Sequence, residues 1–305
     1  MDQQSPLIEL KLPEFASYRL FMKRDDLLHP QIQGNKWRKL EELLKQQSGS
    51  GKTVISFGGA FSNHLHALAY AGNFAGFPTV GILRGSSVDT NNPTLLDAQR
   101  WGMKLIPVPK AEYELLKTKP VGHLLSCLGL DTGSEYHLLP EGGDTRDALV
   151  GCKRIAVEIL AQLPVDAGNP IYFCVPAGTG CTATGLLAGA GAAAKTLVFP
   201  AAPYGVDESS IRARLANAGC SENVDFEVLE DVFPGKFAQM TAELMAFIER
   251  FRQLTGILLD PIYTSKMFFK LEKMAAQKYF PTGSCIVAVH TGGLQGWRGY
   301  SNHFK

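Results

Sequence analysis

Short apolar runs alternate along this chain with longer stretches whose apolar positions recur at helical spacing, and glycine-rich turns often separate them. The first series reads strand "TVISFGG" (53–59), helix "NHLHALAYAGNFAG" (63–76), strand "PTVGILRG" (78–85), helix "TLLDAQRWG" (94–102) and strand "KLIPVP" (104–109). A second series runs through helix "DALVGCKRIAVEILAQL" (147–163), strand "PIYFCVP" (170–176), a Gly/Thr turn, helix "TATGLLAGAGAAA" (182–194) and strand "TLVFPAA" (196–202). It closes with helices over 236–256 and 265–280 and a last strand, "SCIVAVHTGG" (284–293). Buried strand, crossover helix, buried strand is the signature of a mostly parallel sheet covered on both faces. The pattern therefore predicts an α/β protein with two open, mostly parallel sheets in units of unequal size. Ahead of the first series, "QGNKWRKLEELL" (33–44) passes from a loop into an amphipathic helix, with Lys36 at the junction.

Composition narrows the choice of partner. The 305 residues are 45% hydrophobic, enough for a packed core, and 30 Lys and Arg nearly balance 29 Asp and Glu. No excess of positive charge is available for many phosphates, so a small molecule is the expected partner and a nucleic acid is not. The first twenty residues carry charge throughout and lack the apolar run of a signal peptide, and no apolar stretch reaches the length of a membrane span. Cysteines 127, 152, 174, 181, 220 and 285 form no C-x-x-C pair, which suits free thiols in a reducing cytoplasm.

Several loops carry candidate chemistry. "SGSGKTV" (48–54) ends like a phosphate loop, but position 46 is Gln46 and a helix precedes where a strand should, so it reads as a solvated turn. In "IYFCVPAGTGCTATGLLAG" (171–189) a strand runs into Gly178, Thr179, Gly180, Cys181 and Thr182 and then a helix, whose first turn points unpaired N–H groups and a positive dipole end into the loop. That cup suits one phosphate. A dinucleotide fits less well, because the following strand ends without the Asp or Glu that would hold a ribose. A tight turn with glycines for sterics is the plain alternative. In "SFGGAFSNHLHALAYAG" (56–72), Ser62, Asn63 and His64 open a helix at the carboxyl end of a strand, where parallel sheets bind ligands; Ser62 alone could be an N-cap. His64 and His66 have no third partner at metal-ligand spacing, so no metal site is expected. "DPIYTSK" (260–266) and "VAVHTGGLQG" (287–296) add Tyr263, Thr264 and Thr291 near strand or helix ends.

Together with "KRDDL" (23–27), "GNKWRKLE" (34–41), "NPTL" (92–95) and "LPEGG" (139–143), these stretches resemble the D-cysteine desulfhydrase and 1-aminocyclopropane-1-carboxylate (ACC) deaminase family. That family sits within the tryptophan-synthase-β-like enzymes that use pyridoxal 5'-phosphate (PLP). The ordered set spans residues 23–296. The resemblance implies a fold of two domains, 1–48 with 158–305 as the larger, PLP-binding one and 49–157 as the smaller, with the active site in the cleft between them. It also implies a homodimer.

The resemblance further implies that Lys36 carries PLP covalently through its amine and later acts as base at the substrate Cα. Backbone N–H groups of Thr179, Gly180, Cys181 and Thr182 would hold the phosphate, and Asn63 the pyridoxal O3'. Ser62 and His64 would face the substrate carboxylate or move protons, Tyr263 would assist the leaving group, and Thr291 or Thr264 would sit near the pyridine nitrogen. A neutral hydroxyl there makes a weaker electron sink than a carboxylate would, which favours β-elimination over transamination. Two departures bear on substrate. ACC deaminases proper carry a glutamate after the tyrosine where this chain has Thr264, which points to the desulfhydrase branch, and Phe237 stands where the family places a second tyrosine. The expectation is a PLP-dependent lyase acting on D-cysteine or, in a related reaction, on an ACC-like substrate. A nicotinamide oxidoreductase and a non-catalytic PLP or amino-acid binder are the alternatives.

Overall fold

The computed structural model describes residues 4–164, 168–202, 205–221, 223–230, 232 and 237–300. In chain order, β1 (Leu7–Leu10) and β2 (Arg19–Lys23) precede α1 (Asn35–Gln47). The next elements are β3 (Thr53–Gly58), α2 (Asn63–Ala75), β4 (Thr79–Arg84), α3 (Pro93–Arg100), β5 (Lys104–Val108), α4 (Lys110–Leu116), α5 (Val121–Cys127) and β6 (Tyr136–Leu138). Then come α6 (Arg146–Gln162), β7 (Ile171–Ala177), α7 (Cys181–Ala190), β8 (Lys195–Pro200), α8 (Glu208–Asn217), β9 (Phe226–Val228), α9 (Ala242–Thr255), α10 (Thr264–Ala276) and β10 (Cys285–Val289).

The chain divides into two compact units: Met1–Asn35 with Leu149–Leu294, and Lys36–Ala148 with Gln295–Lys305. Helix α1 beyond its first residue thus groups with the middle of the chain. The larger unit holds a six-stranded sheet in the order β1-β2-β10-β7-β8-β9, parallel except where β1 pairs antiparallel to β2. Both parities of its strands are buried. Phe21, Phe173, Val175, Val198, Val287 and Val289 pack with α6, α7 and α8, while Leu20, Met22, Cys174, Leu197, Ile286 and Ala288 bury the opposite face. Alternating side chains point to opposite sides, so a strand buried at every position means a sheet covered twice. The smaller unit has an all-parallel sheet in the order β5-β4-β3-β6. Ile55, Phe57, Val80 and Ile82 pack there against Tyr113, Leu116, Leu124 and Leu125 of α4 and α5.

In each unit the strand order reverses at one point. From β3 the chain continues to β4 on one side while β6 lies on the other; from β7 it continues to β8 while β10 lies on the other. Such reversals leave a crevice beyond the carboxyl ends of the strands. The loops that leave β3, β7 and β10 carry Gly58–His64, Gly178–Thr182 and His290–Gly293, so the topology delivers the candidate residues to the crevice of their own sheet.

Several helix boundaries differ from the pattern reading, among them that of the helix read over 265–280, which ends at Ala276. The helix read over 182–194 ends at Ala190, because Gly191 leaves helical geometry at φ 54, ψ −131. The helix read over 236–256 starts only at Ala242, where the Thr241 side chain accepts from Leu244 N at 3.2 Å and caps it, and residues 237–241 before it are turn and loop.

Candidate active site

In the larger unit, β7 ends at Ala177, and Gly180 adopts φ +92, a conformation that side chains rarely take. That residue precedes α7, and no side chain caps the helix. Gly180, at the cap position, thus offers the first turn of α7 no side-chain acceptor of its own. Cys181 and Thr182 are buried there, and Thr182 Oγ1 accepts from Asn35 Nδ2 at 2.9 Å. A Cβ built on Gly180 would lie 3.6 Å from the guanidinium carbon of Arg214, so a positive charge borders the turn. Sequence pattern gave no signal for Arg214, which reaches the turn from α8. The cup, its dipole and this cation together suit a dianionic phosphate.

Tyr263 lies over the same turn. A Cβ on Gly178 would meet its ring at 3.3 Å and its hydroxyl at 3.4 Å, so glycine makes room for the phenol. Asp260 holds it in place: its wholly buried carboxylate accepts from Ile262 N at 2.9 Å, Tyr263 N at 2.8 Å and Thr264 N at 2.6 Å. Three N–H donors at the start of α10 thus converge on one anion, and Tyr263 and Thr264 have little freedom to shift. Removing it by Asp260→Ala is expected to cost about 2–4 kcal/mol of stability, with Asp260→Asn falling between that variant and the wild type. Thermal melts of the three proteins check the ranking; an Asn variant as stable as wild type would mean that the charge contributes nothing. The Thr264 and Ser265 hydroxyls are buried and make no hydrogen bond. Phe237 is 41% exposed, and its ring meets that of Tyr263 edge-on, with centroids 6.2 Å apart. Lys236, next to it in sequence, lies outside the described residues.

Thr291 follows β10 and is buried, and its carbonyl accepts from Asn35 N at 3.2 Å. His290 sets the path of this loop. Its Nε2 donates to Leu258 O at 2.9 Å, and its Nδ1 accepts from Gly292 N at 3.2 Å. The "KRDDL" stretch braces the same region: Asp26 N donates to His290 O, Arg24 pairs with the Asp26 carboxylate at 2.7 Å, and Lys23 pairs with Glu158 at 2.7 Å in a fully buried contact. Gly34 and Gly292 take φ +61 and +74 where these two loops run against each other.

In the smaller unit, Lys36 lies in the first turn of α1 and is half-buried. One turn on, Lys39 is buried and donates to Gly142 O at 3.0 Å. Ser62 caps α2, its hydroxyl oxygen accepting from Leu65 N at 3.2 Å. The N-cap reading therefore holds, and it leaves the hydroxyl proton free to donate elsewhere. A Cβ on Gly58 would sit 2.7 Å from that oxygen, which explains the glycine at the end of β3. His64 is buried beside Gly143, with Nε2 2.8 Å from Ser56 Oγ. Ser56 donates its one proton to Leu139 O at 2.8 Å, so His64 Nε2 carries the hydrogen and Nδ1 is an acceptor with no hydrogen-bond partner. Burial, then the charges of Lys36 and Lys39, hold the imidazole far below its ordinary pKa and keep it neutral. "LPEGG" is thus the wall around His64. "NPTL" caps α3, Asn92 Oδ1 accepting from Thr94 N and Leu95 N at 3.1 Å. Asn63 Oδ1 accepts from Gln295 Nε2. No group of three or more metal-ligating side chains occurs among the described residues.

A helix start whose cap position is a glycine, and buried hydroxyls with no hydrogen-bond partner, are features of the larger unit that a bound phosphate-bearing ring would complete. A family model described as "pyridoxal-phosphate dependent enzyme" matches residues 2–292. A protein from Pyrococcus abyssi named as a putative 1-aminocyclopropane-1-carboxylate deaminase is 32% identical over 91% of this chain and 85% of its own length. The D-cysteine desulfhydrase of Yersinia enterocolitica is 27% identical, covering 95% of this chain and 91% of its own. A crystal structure of an ACC deaminase homologue superposes with a TM-score of 0.80 and 26% identity, over 98% of this chain and 92% of the other.

Proposed function

The chain belongs to the family of pyridoxal-phosphate-dependent enzymes, and from that premise we propose that it catalyses β-elimination on a small amino acid. The first candidate is D-cysteine, which with one water would give pyruvate, ammonia and hydrogen sulfide. The cofactor supplies an electron-withdrawing ring that spreads negative charge from the substrate Cα. The rest falls to the chain. N–H groups of Thr179, Gly180, Cys181 and Thr182 bind the phosphate, with Arg214 at its edge, and Asn63 donates to the ring oxygen O3'. The Lys36 amine holds the cofactor and then accepts the Cα proton. Ser62 donates its free proton to the substrate carboxylate, and neutral His64 offers Nδ1 as acceptor. Tyr263 delivers a proton to the departing sulfur.

The observation that carries the choice of reaction is Thr264. It is a buried, neutral hydroxyl without a partner, on the helix turn that also positions Tyr263. Facing the pyridine nitrogen, it or Thr291 would leave that nitrogen unprotonated, and a weaker electron sink favours prompt loss of a β-leaving group. A carboxylate would favour the opposite. The exposed Phe237 ring beside Tyr263 is apolar where a phenol would donate, which suits a substrate whose β-group needs no second proton donor. Cytosolic residence as a homodimer completes the reading. Six cysteines outside any disulfide suit the reducing interior of a cell. The test is to incubate the purified protein with D-cysteine and assay pyruvate and sulfide together, against L-cysteine and ACC. Equimolar products from D-cysteine are expected. A visible cofactor band that responds to D-cysteine without yielding either product would leave a binder and overturn the lyase.

A further inference from the structure

Asn63 presents one end of its amide to Gln295, and the chemistry of more distant groups decides which end. Arg298 has only donors, so the Gln295 atom 3.3 Å from its Nη2 is the amide oxygen, Oε1. Thr94 Oγ1 donates to that same oxygen at 2.7 Å. The other end of Gln295 is therefore its NH2, which faces Asn63 and, at 3.5 Å, the carbonyl of Phe61. An NH2 group requires an acceptor, so Asn63 gives it Oδ1 and turns its own NH2 away. No described residue accepts from that second NH2.

Arg298 is itself fixed from behind. Its Nη1 donates to Asp97 Oδ2 at 2.5 Å, and its Nη2 lies 3.1 Å from His66 Nε2. Burial and then the charge of Arg298 push the His66 pKa down to about 4, so the imidazole is neutral and Nε2 can accept. The donor-only guanidinium thus starts a chain in which each bond dictates the sense of the next.

We propose that Arg298, acting through Gln295, sets the Asn63 amide so that it offers N–H donors, and not its oxygen, to the anionic ring oxygen of the cofactor. Gln295 and Arg298 are then positioning residues. This rests on the role given to Asn63 above and deepens it.

Gln295→Glu is the test. A carboxylate still accepts from Thr94 and Arg298 but has no hydrogen for Asn63, whose amide must reverse and turn Oδ1 toward the cofactor. PLP binding by the full chain is expected to weaken about tenfold or more, with a displaced visible band and an unchanged melting temperature of the cofactor-free protein. In an Asn63→Ala background the same substitution should weaken binding by less than about twofold, because Gln295 then has nothing to orient. Equal losses in both backgrounds, or no loss in the wild type, would overturn the relay. Should Gln295→Glu fail to fold, Gln295→Met keeps the length without imposing polarity, and a loss of about threefold that vanishes with Asn63→Ala is expected. A wild-type protein that takes up no PLP would sink the role of Asn63 and this inference together. PLP uptake that is indifferent to Gln295 would sink the inference alone.

Discussion

Lys36→Ala is expected to lower turnover by about 10³-fold or more and to abolish the visible band of the bound cofactor, while the protein stays folded. The argument begins with the side chain. A primary amine on a flexible stem can bond covalently to a carbonyl carbon, exchange that bond for one to a substrate amine, and then take a proton. Lys36 stands flanked by structure: half-buried in the first turn of α1, with Trp37, Arg38 and Lys39 buried directly after it. Alanine has the highest helix propensity, so α1 should survive the change. Lys36→Arg separates charge from chemistry, since a guanidinium keeps the positive charge but cannot form the bond. Both variants should fall together in steady-state assays and lose the band in the same absorbance scans. An arginine variant with more than about a tenth of wild-type turnover would mean that the amine is not the carrier.

Gly34→Ala should be the most damaging change that touches no reactive group. A Cβ there would lie 1.9 Å from the Thr291 carbonyl oxygen and 2.2 Å from its carbon, at φ +61. The left-handed backbone alone costs about 1–2 kcal/mol for a side-chain-bearing residue. The overlap adds a forced separation of two loops, for a total of about 3–5 kcal/mol. With a few degrees lost per kcal/mol in a chain of this size, the melting temperature should drop by about 10 °C. Gly49 supplies the control, being left-handed at φ +72 with nothing within 4 Å of its built Cβ. Gly49→Ala should therefore show the backbone cost without the clash. If the two variants melt alike, the close approach of Gly34 to Thr291 is not a source of stability.

Much of the fold can be read from the apolar pattern, because β3, β4, β7, β8 and β10 are short runs closed by glycine or proline and buried on both faces. β1 and β2 escape that reading for a physical reason. "RLFMK" is bounded by charges, and Lys23 inside it is tolerated because Glu158, far along the chain, neutralises it in the core while Ser5 O accepts from its amine. No local pattern reports a partner that distant. The same limit applies to the site. Glycines that turn a chain sharply announce themselves, and so do hydroxyls at helix starts. Asp260 lies in a quoted stretch, yet its three backbone donors appear only once α10 is in place. Gln295 and Arg298 give no periodic signal at all, since their importance lies in partners at Asn63, Thr94 and Asp97.

The pairing of β2 with β10 also orders events during synthesis. Arg19–Lys23 leave the ribosome about 266 residues ahead of the strand that flanks them, Cys285–Val289. At about 5–20 residues per second, β2 must wait on the order of tens of seconds for that neighbour. Lys36–Ala148 need no such wait for their own sheet, because all four of its strands lie within that span. Between the synthesis of β6 and that of β10 a nascent chain therefore carries one finished sheet and one open edge, and a chain released before Cys285 would keep that edge unpaired and available to other chains.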